Sequence, residues 1–123
     1  MEKYDPQIAP IPEDWLALDE DERISLVKTW HRKAKVKLPD ANLHAVFHAI
    51  VENQLAQGQK SVREALARLR KEGLDRHDAL HAIASVLVEH MHEFMARGHP
   101  DQDLDAAYLR RLEKLTAESW LNS

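Results

Sequence analysis

The stretch "LHAVFHAIVENQ", residues 43–54, decides how the chain is read. Leu43, Phe47, Ile50 and Val51 recur at the three- and four-residue intervals of an α-helix and centre an apolar stripe. At roughly 100° per residue, His44 and His48 fall on the edge of that stripe beside Leu55. Further on, "DRHDALHAIASV", residues 75–86, repeats the arrangement. There Leu80, Ala84, Leu87 and Met91 make the stripe, and His77 and His81 lie on its edge near Val88. Two amphipathic helices with paired, half-buried imidazoles are therefore expected, in a chain whose remaining segments carry the same period.

The punctuation around these segments marks further helices. Asp19 and Glu22 have capping-box spacing before "RISLVKTWHRKAKV", a helix expected over roughly 20–36 with Ile24, Val27 and Trp30 on one face. Pro39 breaks it, Asp40 or Asn42 caps the helix holding His44 and His48, and Gly58 closes that helix. Ser61 and Glu64 repeat the capping box ahead of a third helix that ends at Gly73. Asp75 caps the longest helix, about 76–97, closed by Gly98 with Pro100 beyond it. Asp101 or Asp103 opens a last helix, "LDAAYLRRLEKLTAESW", residues 104–120. Residues 1–12 hold Pro6, Pro10 and Pro12 without periodicity and read as an extended arm, with Trp15 anchoring a short turn onto the core. The expectation is an all-α, single-domain bundle of about five helices: an arm over 1–12 and a helical domain over 13–123.

Composition agrees with that reading and excludes several functions. A chain of 123 residues suits one domain, and three glycines and five prolines leave few interruptions. The net charge of −4 offers no excess of positive charge to a phosphate backbone, which disfavours nucleic acid as a partner. With no cysteine there is no disulfide, no thiolate ligand and no cysteine nucleophile. The N-terminus is acidic and Pro-broken, with no apolar run of signal-peptide length, and no later run approaches a membrane span; a cytoplasmic protein without membrane contact is expected.

Eight histidines are many for this length, and their spacing carries the chemistry. Residues i and i+4 are neighbours on a helix, so each H-x-x-x-H pair can turn two imidazoles toward one ion. Two such helices can supply a complete nitrogen shell, making His44, His48, His77 and His81 the candidate ligands. Glu52, one turn after His48, and Glu89, two turns after His81, can add oxygen donors. The set suits zinc, iron, nickel or copper alike. Neither pair is part of a Glu-x-x-His, the mark of di-iron bundles, or of a His-Glu-x-x-His, the mark of zinc proteases. His31, beside Trp30, reads as a fifth ligand or a residue of a helix seam, and His90, His92 and His99 read as surface residues. Gln54 points into the apolar stripe, where its amide can hold an imidazole in one tautomer.

"NLHAVFHAIVENQLA" followed by "VREALARLRKEGLDRHDALHAIASVLVEHM" resembles a family of small bacterial proteins catalogued as domain of unknown function 1841. Its pattern is a helix with H-x-x-x-H and a trailing Gln, then a helix opening D-x-H-x-x-x-H and running on to Leu-x-Glu. His44, His48 and Gln54, then Asp75, His77, His81, Leu87 and Glu89, stand at the matching positions, with Gln54 one residue off the family spacing. The likeness covers roughly residues 42–97 and implies a helical bacterial cytoplasmic protein with paired histidines, without an activity; Asp75, like Gln54, is a candidate to support the ligands from behind.

Two other readings compete with a metal-binding protein. Residues 62–83, two helices about a glycine turn with Arg63, Arg68, Arg70 and Arg76, have the outline of a helix-turn-helix regulatory module whose histidines would be structural. The overall acidity and the few base-reading side chains on "RHDALHAI" weigh against it. A helical interaction protein is the third reading, with Trp120 and Leu121 packing on a partner chain or on a second copy in a homo-oligomer. If a metal is held with an open position, its bound water can drive hydrolysis or hydration, though no pattern names a substrate.

Overall fold

A computed structural model of the chain describes residues 1–35, 40–97 and 104–122. Among the described residues the regular structure is entirely helical: α1 (Pro12–Ala17), α2 (Glu20–Lys33), α3 (Ala41–Ala56), α4 (Lys60–Lys71), α5 (Arg76–Arg97), α6 (Leu104–Lys114) and α7 (Ala117–Leu121). The expected breaks at Pro39, Gly98 and Pro100, the caps at Asp101 and Asp103, and His99 lie outside the described residues. The chain forms two compact units, Met1–Gln59 and Lys60–Ser123. No described helix is long and apolar enough to cross a membrane.

In the first unit the caps fall where the sequence places them. Asp19 accepts from the backbone N–H of Glu22 at 2.8 Å while the Glu22 carboxylate accepts from the Asp19 N–H at 3.1 Å. The reciprocal bonds satisfy two donors that a helix start leaves without partners. Asp40 accepts from the N–H of Leu43 at 3.0 Å and opens α3. Tyr4, Trp15, Val27, Ala45 and Ala49 form the core, with Leu18, Ile24, Leu26, Trp30 and Ala56 packed around it. Trp15 sits in a helix rather than the expected turn, because Pro12 at the first helical position fixes φ for α1. Its indole N–H donates to Asn53 Oδ1 at 2.9 Å, and Arg23 donates to the same oxygen at 3.1 Å and to the carbonyls of Trp15 and Leu16 at 3.0 Å. One arginine thus binds the end of α1 to α2 and α3.

Two details of this unit depart from the sequence pattern. Residues 1–11 carry no helix, yet Tyr4 and Pro6 are buried and a turn closes with Ile8 N–H on the Asp5 carbonyl at 3.0 Å. On α3 the buried residues are Ala45, His48, Ala49, Val51 and Glu52, whereas Leu43 is 49% exposed. His48 therefore lies in the buried face rather than at its edge. The small side chains of Ala45 and Ala49 admit the neighbouring packing, and polar bonds to Tyr4, described below, compensate the burial of His48 and Glu52.

In the second unit α5 is capped by Asp75, which accepts from the N–H of Asp78 at 2.8 Å. Gly73 takes the positive φ of +108° that ends α4, a conformation open to glycine at little steric cost. α4 begins at Lys60, so Ser61 lies inside the helix instead of capping it. Among the described residues seven helices stand where five were expected, because α1 is helical and the last helix divides into α6 and α7. Arg68 holds the division: it donates to the carbonyl of Leu112 at 2.6 Å, which also accepts the Leu115 N–H at 3.1 Å, and to that of Leu115 at 2.9 and 3.2 Å, where α6 stops. Glu72 accepts the N–H of Ala117 at 2.8 Å, and Thr116 and Ser119 form a capping box that starts α7. Replacing Arg68→Ala should cost about 1–3 kcal/mol in urea unfolding and raise amide exchange over 112–121. Arg63→Ala, at an exposed position of the same helix, should change stability by less than about 0.5 kcal/mol.

Candidate metal centre

Three imidazoles of the first unit converge between α2 and α3. His31 is in the last turn of α2 and is buried; His44 and His48 stand one turn apart on α3, half-buried and buried. The ring centroids are 4.7 Å apart for His31 and His44, 5.3 Å for His31 and His48, and 6.1 Å for His44 and His48. One ring nitrogen from each lies within 4.8 Å of the others. Donors bound tetrahedrally at about 2.1 Å stand about 3.4 Å from one another, so a contraction of roughly an ångström would gather the three on one ion.

Hydrogen bonds behind the rings fix which nitrogen can act as ligand. His31 Nδ1 is 2.9 Å from the Val27 carbonyl, which only accepts, so Nδ1 carries the proton and Nε2 the lone pair. His44 Nε2 is 3.2 Å from His31 Nε2 and donates to that lone pair. Tyr4 Oη donates to Glu52 Oε2 in a short bond and lies 2.7 Å from His48 Nε2. A phenol has one proton, and it is committed to the carboxylate; the Tyr4 oxygen therefore accepts from His48 Nε2–H, and the His48 lone pair is on Nδ1. Carboxylate, phenol and imidazole form one relay, the arrangement that orients metal-ligating histidines and raises their basicity. Three of the five buried polar side chains among the described residues, His31, His48 and Glu52, belong to this cluster, so the polar burial is concentrated rather than scattered.

His77 and His81 are half-buried on the first turns of α5 in the second unit, their rings 4.1 Å apart and tilted by 57°. Asp75 serves as the cap of α5, and burial, then the Asp75 charge, push the neighbouring Asp78 carboxyl up from its ordinary value. Glu89 is exposed and lies about 12 Å along α5 from His81; it lines a cavity with Arg111. Gln54 is half-buried, and its carbonyl accepts from the N–H of Gln59 at 3.0 Å. His92 is exposed as expected, but His90 is buried, its ring 6.4 Å from that of Tyr108. α5 turns Leu80, Ile83, Leu87 and His90 inward together, and the periodicity that places the first three also buries the histidine.

Sequence reasoning missed Tyr4, which lies in the Pro-broken segment where no period assigns a face, and left His31 between two roles. The signal available for His31 was its place four residues after Val27 on the same buried face of α2. Comparison with protein-family models, with curated proteins and with solved structures finds no match to the chain.

Burial, and secondly the neighbouring His31, hold the His44 imidazole below its ordinary value of 6.5. The unfolded chain thus binds this proton more readily than the folded one. The resulting stability is complete above the ordinary value and is lost as pH falls from there through the lowered one. In the metal-free protein the urea midpoint should fall between about pH 7 and pH 5, with a shallower fall in His44→Gln.

Proposed function

We propose that this protein binds one transition-metal ion through His31, His44 and His48. The observation that supports the reading most strongly is the convergence of three imidazoles, two of them with the lone-pair nitrogen set by a bond behind the ring. Imidazole donors favour zinc, copper, nickel or iron over magnesium and calcium, which take oxygen. Glu52 acts through Tyr4, raising the basicity of His48, instead of binding the ion itself. A closed four-nitrogen shell makes the ion structural; three nitrogens and a water would make it hydrolytic.

Elemental analysis of protein prepared without a histidine tag, with cobalt(II) titration followed by visible absorption, tests this. About one equivalent is expected for the native chain, with binding lost in a His31→Ala/His48→Ala variant and unchanged in His92→Ala. Tyr4→Phe and Glu52→Gln should weaken affinity about 10–100-fold while leaving the stoichiometry intact. No stoichiometric uptake by the native chain, or uptake unaltered by the double variant, would refute the proposal.

A further inference from the structure

The second unit holds a cavity of about 460 Å³ among α5, α6 and α7, lined among others by Ser85, Glu89, Arg111, Lys114, Ser119 and Trp120. Its volume is in the range of small-molecule sites, and its chemistry is divided. Arg111 and Lys114 stand three residues apart on α6, neighbours on one helix surface, and supply two cations. Arg111 Nη2 donates to Glu93, joining α6 to α5. Its Nη1 is shielded from solvent and has no hydrogen-bond partner among the described residues. The side chain is 33% exposed, and it is this accessible part rather than the shielded Nη1 that borders the cavity. With Lys114 it offers positive charge to a carboxylate.

The hydroxyls present the opposite polarity. Ser85 donates its proton to the Ala82 carbonyl at 2.7 Å, and Ser119 donates its own to the Thr116 carbonyl at 2.9 Å. With the protons committed, both oxygens offer lone pairs, and the Glu89 carboxylate is a third acceptor. The half-buried indole of Trp120 adds a flat apolar wall beside Val86 and Leu115.

We infer that this cavity binds a small aromatic carboxylate bearing a hydroxyl or amino donor. Arg111 and Lys114 take the carboxylate, the ring lies against Trp120, and the donor reaches Ser85, Ser119 or Glu89. This site is independent of the histidine cluster and needs no metal.

The test is a titration of the full-length protein with 4-hydroxybenzoate, followed by ¹H–¹⁵N correlation spectra. Saturable shifts confined to residues 85–93 and 111–121 are expected. 4-Hydroxybenzyl alcohol, which lacks the carboxylate, and inorganic phosphate, which lacks the ring, should each bind about tenfold more weakly or not at all. Lys114→Glu, at an exposed side chain, should weaken 4-hydroxybenzoate about tenfold. Arg111→Gln, which removes the charge, should do the same. If Arg111→Gln does not fold, Lys114→Glu carries the test alone. Absence of saturable shifts, equal binding of phosphate, or binding indifferent to Lys114→Glu would overturn the inference.

Discussion

Tyr4 has one hydroxyl proton and two acceptors-in-waiting beside it, and where that proton goes determines the chemistry of the first unit. It goes to Glu52, since a buried carboxylate is the stronger acceptor. His48 must then donate from Nε2 and keep its lone pair on Nδ1. At His31 the Val27 carbonyl does the same work from the other side, leaving Nε2 as the basic atom. The protein thus sets the protonation of two imidazoles by hydrogen bonds alone, with a backbone carbonyl in one case and a carboxylate relayed through a phenol in the other.

The same contact makes the N-terminal segment part of the core. Tyr4 packs against Trp15 at a ring separation of 5.5 Å and against His48 at 5.6 Å, so the aromatic surface and the polar relay occupy one side chain. Trp15 in turn is held through Asn53, which also accepts from Arg23. A three-helix unit of this size has a small core in which alanines fill two of five positions. Units this small draw stability from staples as well as from packing. An ion shared by α2 and α3 would be such a staple, since binding to the folded state alone adds directly to its stability.

Much of this was legible in the sequence, and what was not failed for identifiable reasons. Helix starts marked by a side chain that bonds locally, Asp19, Asp40 and Asp75, are where expected because a cap depends only on its own few neighbours. The break between α6 and α7 was not, because it is held by Arg68 and Glu72 from a distant helix in a segment whose own period is unbroken. The face of α3 was misjudged because hydrophobicity ranks Leu43 above His48, while burial went to the residue with a buried partner. Tyr4 gave no signal: a contact across 44 residues leaves no trace in local periodicity. The histidine pair on α3 was found by spacing, but its first-unit companion, His31, comes from another helix and is brought in by packing.

The proposed centre needs His31, His44 and His48 to act together on one ion through nitrogens selected by the bonds behind them. X-ray absorption of the zinc-loaded protein tests this most directly. A first shell of nitrogen and oxygen at about 2.0–2.1 Å, with the outer scattering of at least three imidazoles that drops by one in His48→Ala, is the predicted result. A shell dominated by oxygen, or one with a single imidazole that survives His48→Ala unchanged, would contradict it.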